Sequence, residues 1–168
     1  MSYTIHDWEK AIDTSNLSEI ERVKRMQYVK SAFKNNVPVI IDTQHLSKLL
    51  GLKLGVLNNM VQAPSSFYRE FKIPKRKGGY RDIVTPYTSL LEVQQWIAKH
   101  ILSSFDIHPS AYAYVKGKNI AQNAKSHIGS KEMLKIDLKD FFPSIKIPRV
   151  RELFKRLGYS KEVTYYLS

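Results

Sequence analysis

The feature that most constrains this chain is the segment 134–145, which has the sequence Leu-Lys-Ile-Asp-Leu-Lys-Asp-Phe-Phe-Pro-Ser-Ile. Apolar residues at 134, 136 and 138 alternate with polar ones until Pro143 breaks the pattern, which predicts a short half-buried strand that runs into a turn. Asp137 comes at the end of this strand, where a carboxylate is costly to bury unless a partner such as a divalent cation binds it. The alternative is an ordinary aspartate that caps the turn before Pro143.

A second informative segment, 66–84, has the pattern of a basic β-hairpin. We predict strands at 68–73 and 80–84, because Gly78 and Gly79 between them supply the positive φ angles of a tight turn. Five basic residues lie on the hairpin, with no acid between the first and the last: Lys72, Lys75, Arg76, Lys77 and Arg81. This tip predicts a phosphate-binding site, with a solvated charged turn as the alternative.

A second basic turn follows in the segment 108–127. We predict a strand at 111–115, a turn formed by Lys116, Gly117 and Lys118, and a helix that begins near Asn119. Backbone amides at the start of a helix, between two lysines, suit a phosphate. Asn123 and His127 are four residues apart and are expected to share one face of that helix, where ordinary contacts with backbone or solvent are the alternative to a binding role.

The charge of the chain favours a polyanionic partner. Among 168 residues, 27 Lys and Arg outweigh 15 Asp and Glu, which gives a net charge of +12 and favours nucleic acid. An anionic membrane surface is the weaker interpretation, because the basic residues do not gather on one amphipathic helix. The chain has no cysteine, which excludes disulfides and thiolate metal sites.

The sequence shows no sign of export or membrane insertion. The N-terminal residues 1–8 lack an apolar run behind basic residues, and no apolar stretch approaches the ~18 residues that span a bilayer. We therefore expect a cytoplasmic protein without a membrane partner.

Helical patterns occupy the N-terminal third, and several recur later. We predict one helix over 8–33 with a capping box of Ser18 and Glu21, and helices over 43–50, with Thr43 as N-cap, and over 53–61. Further helices are expected at 89–102, with a capping box of Ser89 and Glu92, at 149–157, and from residue 161. The helix–glycine–helix pattern of 43–61 also fits a helix-turn-helix DNA-binding protein, although its second helix offers Asn58, Asn59 and a single basic residue, Lys53.

The motif Asp137-Leu-Lys-Asp-Phe-Phe-Pro-Ser-Ile145 resembles the first palm motif of reverse transcriptases, in the form found in bacterial retron enzymes. The resemblance implies that Asp137 is catalytic and that its carboxylate, with the carbonyl of Leu138, binds Mg²⁺. It implies that Phe142 closes the sugar pocket against a 2′-hydroxyl, and that Asp140 and Phe141 position the nucleotide through backbone groups. Nucleotidyl transfer needs metal ions that activate the primer 3′-oxygen and neutralise the triphosphate.

The basic segments resemble parts of the same family. The hairpin resembles the fingers hairpin, which implies that Lys75 and Arg81 hold the incoming triphosphate while Arg76 and Lys77 face template or solvent. Where related enzymes often carry Arg-Ser, this chain has Lys118-Asn119, which keeps the charge and loses the bidentate guanidinium. The pattern Asn-Ala-x-x-His at 123–127 is typical of retron reverse transcriptases and implies a role in holding RNA or shaping the palm.

The resemblance runs from about Thr43 to Ser168 and covers the N-terminal half of a reverse transcriptase. It implies an α+β fold with right-hand polymerase fingers and an incomplete palm, divided into a helical N-terminal segment (1–62), fingers (63–130) and partial palm (131–168). The implied function is RNA-directed synthesis of multicopy single-stranded DNA from dNTPs, in anti-phage defence. The implied partners are a structured non-coding RNA, its DNA product and a toxin or effector protein.

A second pair of catalytic carboxylates, Tyr-x-Asp-Asp in this family, is absent from the 168 residues. No two of the aspartates are adjacent: Asp7, Asp13, Asp42, Asp82, Asp106, Asp137 and Asp140. We therefore expect the chain alone to be inactive. Three explanations stay open: a second polypeptide that supplies Tyr-x-Asp-Asp and the thumb, a truncation, or a non-catalytic basic RNA-binding module.

Overall fold

The computed structural model describes residues 3–76 and 78–168, which form helices and one small sheet. The helices and strands follow in the order α1 (Ile5–Asp13), α2 (Glu19–Lys34), α3 (Thr43–Leu49), α4 (Leu54–Gln62), β1 (Tyr68–Pro74), β2 (Tyr80–Pro86), α5 (Thr88–His100), α6 (Ile120–Lys125), α7 (Phe141–Ser144), α8 (Ile147–Arg156) and α9 (Lys161–Leu167). Single 3₁₀ turns precede β1 at Pro64–Phe67 and follow α5 at Leu102–Ser104. The expected α+β class is confirmed.

The described residues form two compact units, 3–104 with 147–168, and 105–146. The first unit contains a hydrophobic core in which α8 and α9 pack with the N-terminal helices, and its fully buried members include Val29, Ile40, Leu46, Ile101 and Val163. The hydroxyl of Thr43 on α3 donates to Glu162 of α9 at 3.1 Å. The last two helices of the chain therefore stabilise the first unit.

An extended connector at 37–41 crosses this core and is fixed by two tyrosines. The Tyr28 hydroxyl donates to the carbonyl of Ile40 at 3.0 Å and accepts from its N–H at 2.9 Å, so one side chain replaces a missing strand neighbour. The Tyr159 hydroxyl donates to the carbonyl of Pro38 at 3.0 Å. Burial raises the pKa of Tyr28 to about 12 and also raises the pKa of Tyr159, so both hydroxyls keep their protons at neutral pH.

The N-terminal helices differ from the prediction in two places. The single helix expected over 8–33 is wrong, because the chain leaves helical geometry after Asp13 and a new helix begins at Glu19. The Ser18–Glu21 capping box is confirmed and marks the start of this second helix, since Ser18 accepts from the Glu21 N–H. Thr43 is the first residue of α3 and not its cap; Asp42 fills that position and accepts from the N–H of His45 at 2.7 Å.

The helix after the hairpin was predicted correctly, but its capping box was not. The backbone N–H of Tyr87 donates to the carbonyl of Phe67 at 2.8 Å, which fixes Tyr87 as the N-cap of α5. Ser89 therefore lies inside the first turn, and the box expected with Glu92 is wrong. The helices predicted at 149–157 and from Lys161 are present as α8 and α9.

The predicted hairpin is confirmed. Strands β1 and β2 pair antiparallel with Ile73 opposite Arg81 and Lys72 opposite Asp82. Both glycines of the turn have positive φ, +89° at Gly78 and +76° at Gly79, which is why residues without a Cβ are needed there. The amide of Gln94 on α5 donates to the Tyr68 hydroxyl at 2.9 Å and ties the base of the hairpin to that helix.

The second unit lacks the two strands that the sequence predicted. Residues 132–138 have no regular secondary structure, and their apolar side chains are exposed, with Leu134 at 83%, Ile136 at 70% and Leu138 at 65%. Residues 111–115 form turns and irregular backbone. A strand requires hydrogen bonds to a neighbouring strand, and the paired strands found in 3–76 and 78–168 are β1 and β2 alone, so both predictions are wrong.

Across the residues that the structure describes, no helix is both long and apolar enough to cross a membrane.

Candidate nucleotide and nucleic-acid site

The first group of candidate residues lies at one end of the hairpin. Lys75 is the first residue after β1, its N–H donates to the carbonyl of Gly79 at 2.9 Å, and Arg81 is the second residue of β2. The side chains of Lys75, Arg76 and Arg81 are exposed and have no ion-pair partner within the described part of the chain. Lys77 lies outside the described residues. The hairpin turn therefore brings three cationic side chains together at a solvent-facing end, where a phosphate can reach them.

One basic residue of the hairpin is paired. The Lys72 ammonium lies 3.7 Å from the Asp82 carboxylate, which occupies the facing position on β2. Both side chains are well exposed, so this pair contributes little to stability, but it reduces the local positive charge at Lys72. The positive charge of the hairpin is therefore concentrated at its turn, whereas the charges at the facing positions of Lys72 and Asp82 offset each other.

The candidate catalytic residue Asp137 lies in the irregular segment of the second unit. Its carboxylate is exposed and has no hydrogen-bond or ion-pair partner among residues 3–76 and 78–168. Leu138 is the next residue along the chain and is also exposed. The Asp137 carboxylate and the Leu138 carbonyl are oxygen donors that a cation from outside the unit can approach.

The predicted nucleotide residues after Asp137 form a short helical turn. Asp140 has φ +51°, in the left-handed region, and its carbonyl accepts from the N–H of Ser144 at 3.0 Å as α7 begins. Left-handed backbone at a residue other than glycine is uncommon and occurs more often at aspartate than at most residues. The turn places Phe141 and Phe142 next to each other, with ring centroids 5.4 Å apart and planes at 69°.

A third ring extends this pair. Tyr114 contacts Phe142 edge-on, with centroids 6.3 Å apart and planes at 80°. Sequence reasoning missed this contact because the two residues are distant along the chain and no short-range pattern links them. The three rings form an exposed aromatic cluster, 114, 141 and 142, within the second unit.

Lys118 is engaged inside its own turn. Its ammonium donates to the carbonyls of Pro109 and Ala111, the latter at 2.7 Å, and lies 4.7 Å from the centre of the Tyr112 ring. An ammonium has three donors, and two of them are used here. Lys116 is exposed on the same turn. Of the two lysines in this turn that were predicted to bind nucleic acid, Lys116 therefore has the ammonium group that is free of such contacts within the described residues.

The helix after this turn begins where it was predicted to begin, but it ends before His127, which was expected to lie on it. Asn119 is its N-cap and forms a capping box with Gln122, each accepting from the other's N–H at 2.9 Å. Asn123 lies on α6, but this helix ends at Lys125, and His127 lies in the following turn with its N–H donating to the carbonyl of Ala124 at 3.1 Å. Asn123 and His127 therefore do not share one helix face, although both side chains are exposed.

The oxygen donors predicted to bind Mg²⁺ match that ion in chemical type. Mg²⁺ prefers oxygen ligands in octahedral geometry, and the carboxylate of Asp137 and the carbonyl of Leu138 are of that kind. Among the described residues there is no cluster of three or more His, Asp or Glu side chains that could hold a metal ion. The donors of this chain fit magnesium in type and are too few to complete its coordination.

One of the three residues that a helix-turn-helix protein would use to contact DNA is engaged within the fold. Asn58 on α4 accepts a hydrogen bond from the Tyr166 hydroxyl of α9 at 2.8 Å. Leu57 and Met60 of the same helix are buried. The face of α4 that carries Asn58 therefore packs within the protein, which leaves Asn59 and Lys53 to contact a DNA groove.

The candidate residues divide between the two units. Lys75, Arg76 and Arg81 belong to the first, whereas Asp137, Leu138 and the aromatic cluster belong to the second, together with Lys116, Lys118, Asn119, Asn123, His127 and Asp140.

Comparison with known proteins gives one consistent set of relatives. The chain is 35% identical over 136 residues to the Retron Mx65 reverse transcriptase of Myxococcus xanthus, and this match covers 79% of the chain and 32% of the relative. It is 36% identical over 119 residues to the Retron Ec73 reverse transcriptase of Escherichia coli, covering 70% of the chain and 36% of the relative. The Retron Ec86 reverse transcriptase of Escherichia coli is 28% identical over 150 residues, with 87% and 47% covered.

The matches cover most of this chain and a minor part of each relative. The chain spans less than half the length of these curated relatives, between 32% and 47%. None of the protein-family models matches the chain.

Proposed function

Because this chain is homologous to the N-terminal part of retron reverse transcriptases, we propose that it supplies the triphosphate-binding hairpin and the first catalytic aspartate of an RNA-directed DNA polymerase. The observation that carries the proposal is the match to the Retron Mx65 reverse transcriptase over 79% of the chain. The carboxylate of Asp137 is exposed, so a ligand can reach it.

In this function the hairpin turn binds the triphosphate. Lys75 and Arg81 lie at the same end of the hairpin, where an ammonium and a guanidinium can neutralise a polyphosphate and hold it by charge-assisted hydrogen bonds. Arg76 and Lys77 contact the template backbone. The exposure of Lys75 and Arg81 favours a ligand over a structural role.

The aromatic cluster 114, 141 and 142 forms a wall for the nucleotide sugar. Phe142 is exposed, with the ring centroids of Phe141 and Tyr114 5.4 and 6.3 Å from its own. A flat ring placed against the sugar excludes a 2′-hydroxyl by shape. The left-handed backbone at Asp140 fixes the direction in which the two phenylalanines leave the chain.

Asp137 and the carbonyl of Leu138 supply the metal ligands of this chain. A Mg²⁺ ion held there would supply neutralisation of the triphosphate and activation of the attacking hydroxyl. Further carboxylates come from a Tyr-x-Asp-Asp motif on a longer form of this chain or on a second polypeptide that also carries the thumb. The side chains of Leu134, Ile136 and Leu138 are exposed, and contact with that part of the palm would cover them.

The partners and setting proposed for the enzyme are those that the retron resemblance of the sequence implies. We propose a structured non-coding RNA as template and multicopy single-stranded DNA as product, made from dNTPs in the cytoplasm as part of anti-phage defence. A toxin or effector protein is a further proposed partner. Asn123, His127, Lys116 and Lys118 contact the RNA in this scheme.

A second candidate function is a non-catalytic basic RNA-binding module. The observation that favours it is the absence of any cluster of metal ligands within the described part of the chain, combined with the net charge of +12. In this case Asp137 has no chemical role and the hairpin carries the function. The two candidates therefore differ in whether Asp137 matters.

Charge reversal at the hairpin turn tests the binding part of the proposal. We expect Arg76→Glu with Lys77→Glu to weaken binding of a primer–template duplex about 10- to 100-fold, because two contacts proposed to the template phosphates become repulsive. The slope of log affinity against log salt should become shallower by about two. Fluorescence anisotropy of a labelled duplex over a series of salt concentrations measures both quantities.

The matched control is Lys24→Glu with Lys30→Glu, a pair of exposed lysines on α2 that changes the net charge by the same amount. The proposal expects this control to bind almost as the wild type does. Equal weakening by both double variants would mean that net charge alone attracts the nucleic acid and that the hairpin has no specific role.

A further inference from the structure

A ring-lined cavity lies in the first unit, and the described residues that line it include none of those considered above for the polymerase site. Its volume is about 620 Å³, within the range of small-ligand pockets. Its walls come from α1, α3, α5 and the end of α2 with the connector after it. Six of the lining side chains carry rings: Tyr3, Trp8, Phe33, His45, Trp96 and His100.

The walls of this cavity are held in place by the core. The connector residues Val37, Pro38 and Val39 line it, and the flanking groups are fixed by the hydrogen bonds of Tyr159 to Pro38 and of Tyr28 to Ile40. The rings contact one another in pairs, with the ring centroids of Trp8 and His45 5.9 Å apart and those of Trp96 and His100 5.0 Å apart. The cavity is therefore a preformed site and not a gap between mobile loops.

The cavity is lined mainly by flat aromatic side chains. No lysine, arginine, aspartate or glutamate is found among the described residues that line it. The Nδ1 atom of His45 accepts from the Ile41 N–H at 3.3 Å, and burial lowers the pKa of His45, so its imidazole is neutral at pH 7. Such a wall favours an uncharged planar ligand, because rings stack on it and an ion would lose its hydration.

Residues of both charges flank the lining residues along the chain, and the two carboxylates beside Trp8 are already engaged, Asp7 by the Thr4 N–H at 2.7 Å and Glu9 by His6 at 3.9 Å. Three lysines lie one residue along the chain from lining residues: Lys34 beside Phe33, Lys48 beside Leu49 and Lys99 beside His100. All three are exposed, and none has an ion-pair partner in the part of the chain that the structure describes. An uncharged aromatic site with cations around it matches a nucleotide within a strand, whose base is flat and neutral and whose flanking phosphates are anionic.

We infer that this cavity binds one unstacked base of a single-stranded nucleic acid, while the lysines near its rim hold the adjacent phosphates. The choice of a nucleic acid over an aromatic side chain of a protein rests on the proposed function and on this charge complementarity. The site would anchor a strand at the helical N-terminal region, separately from the nucleotide at the hairpin.

The tryptophans provide a direct readout. The chain has two, Trp8 and Trp96, and both line the cavity, so the intrinsic tryptophan emission reports on its occupancy. The probes are a short single-stranded RNA with a fluorescein label and an abasic strand of the same length and label. We expect the RNA to quench the tryptophan emission saturably, and the abasic strand to leave it unchanged and to bind about fivefold more weakly or worse, the factor for one lost stacking contact.

Removal of one wall provides the variant test. Phe33→Ala should weaken RNA binding by about fivefold or more and leave binding of the abasic strand unchanged. The matched control is Phe105→Ala, because Phe105 is 38% exposed against 37% for Phe33 and does not line the cavity. A far-UV circular dichroism melt of both variants verifies that they fold, and the control should bind RNA as the wild type does.

The outcomes separate this inference from the proposed function. If neither strand binds, then the proposed function fails along with the inference. If both strands bind with equal affinity and the tryptophan emission does not change, the chain binds nucleic acid through its phosphates alone. That result would overturn the inference and leave the cavity to a protein side chain.

Discussion

Replacement of Asp137 by asparagine is expected to lower RNA-templated primer extension by about 10³-fold in the assembly that contains this chain. The reason is that, in the proposed function, the variant loses one charged oxygen ligand of a metal ion that would contribute several kcal/mol to stabilisation of the transition state. The fold should not change, because Asp137 is exposed and substitutions at such positions alter the free energy of unfolding by about 0.5 kcal/mol or less. Primer extension and a thermal melt on the same preparation measure the two effects.

The control for this variant is Asp106→Asn, which removes the same charge from another exposed aspartate of the second unit. It should retain full extension activity and the same melting temperature. Unchanged activity in Asp137→Asn would refute the catalytic assignment and favour the RNA-binding module. A large loss of stability in that variant would mean that the carboxylate has a structural partner in the assembly.

Loss of the Tyr28 hydroxyl is expected to be the most damaging conservative change in the core. Tyr28→Phe leaves both the N–H and the carbonyl of Ile40 without a partner, and Ile40 is almost completely buried. Because each orphaned buried group costs roughly 1–3 kcal/mol, the free energy of unfolding should fall by about 2–4 kcal/mol. Urea denaturation followed by circular dichroism, extrapolated to water, gives this difference.

The exposed Tyr80 supplies the matched control. Tyr80→Phe removes the same atom from a side chain that is 68% exposed, and its effect on the free energy of unfolding should stay within about 0.5 kcal/mol.

The pH dependence of the free energy of unfolding gives an independent check on Tyr28. Burial raises the pKa of Tyr28 to about 12, so the wild type should lose stability as pH rises above about 10, where the tyrosine of the unfolded chain ionises. Tyr28→Phe should show less of this loss; equal stabilities for the two proteins at neutral pH would contradict the account of the connector.

Features specified by neighbouring residues were predictable from the sequence. The hairpin follows from strand-forming residues around Gly78 and Gly79, and both glycines have the positive φ expected of them. The Ser18–Glu21 box also follows from spacing, since a capping box joins residues three apart. Here the local pattern and the final structure agree because each element contains its own hydrogen-bond partners.

Features that need a distant partner were not predictable. The alternation of Leu134, Ile136 and Leu138 indicates a face that is apolar, but it does not say what pairs with the backbone, and no neighbour strand lies within the described residues. The contact between Tyr114 and Phe142 and the pairing of Tyr28 with Ile40 join positions that no short motif connects.

The ring-lined cavity illustrates the same limit. Its rings come from separate segments of the sequence, with Trp8, Phe33, His45 and Trp96 on four different helices. Each ring taken alone fits an ordinary packing residue of an amphipathic helix. The cavity exists because packing of these helices leaves their rings around a common space, which only the folded structure reveals.

The claim that this chain forms part of an RNA-directed DNA polymerase can be tested by what accompanies it in the cell. The chain is tagged in its native locus and purified gently, and intact mass spectrometry and nuclease treatment identify the bound molecules. We expect nucleic acid together with a Tyr-x-Asp-Asp motif, carried on a second polypeptide in equal amount or on a longer form of the chain. Nucleic acid without any polypeptide that carries this motif would contradict the claim. Asp137 would then have no catalytic partner, and the chain would act as a binding module.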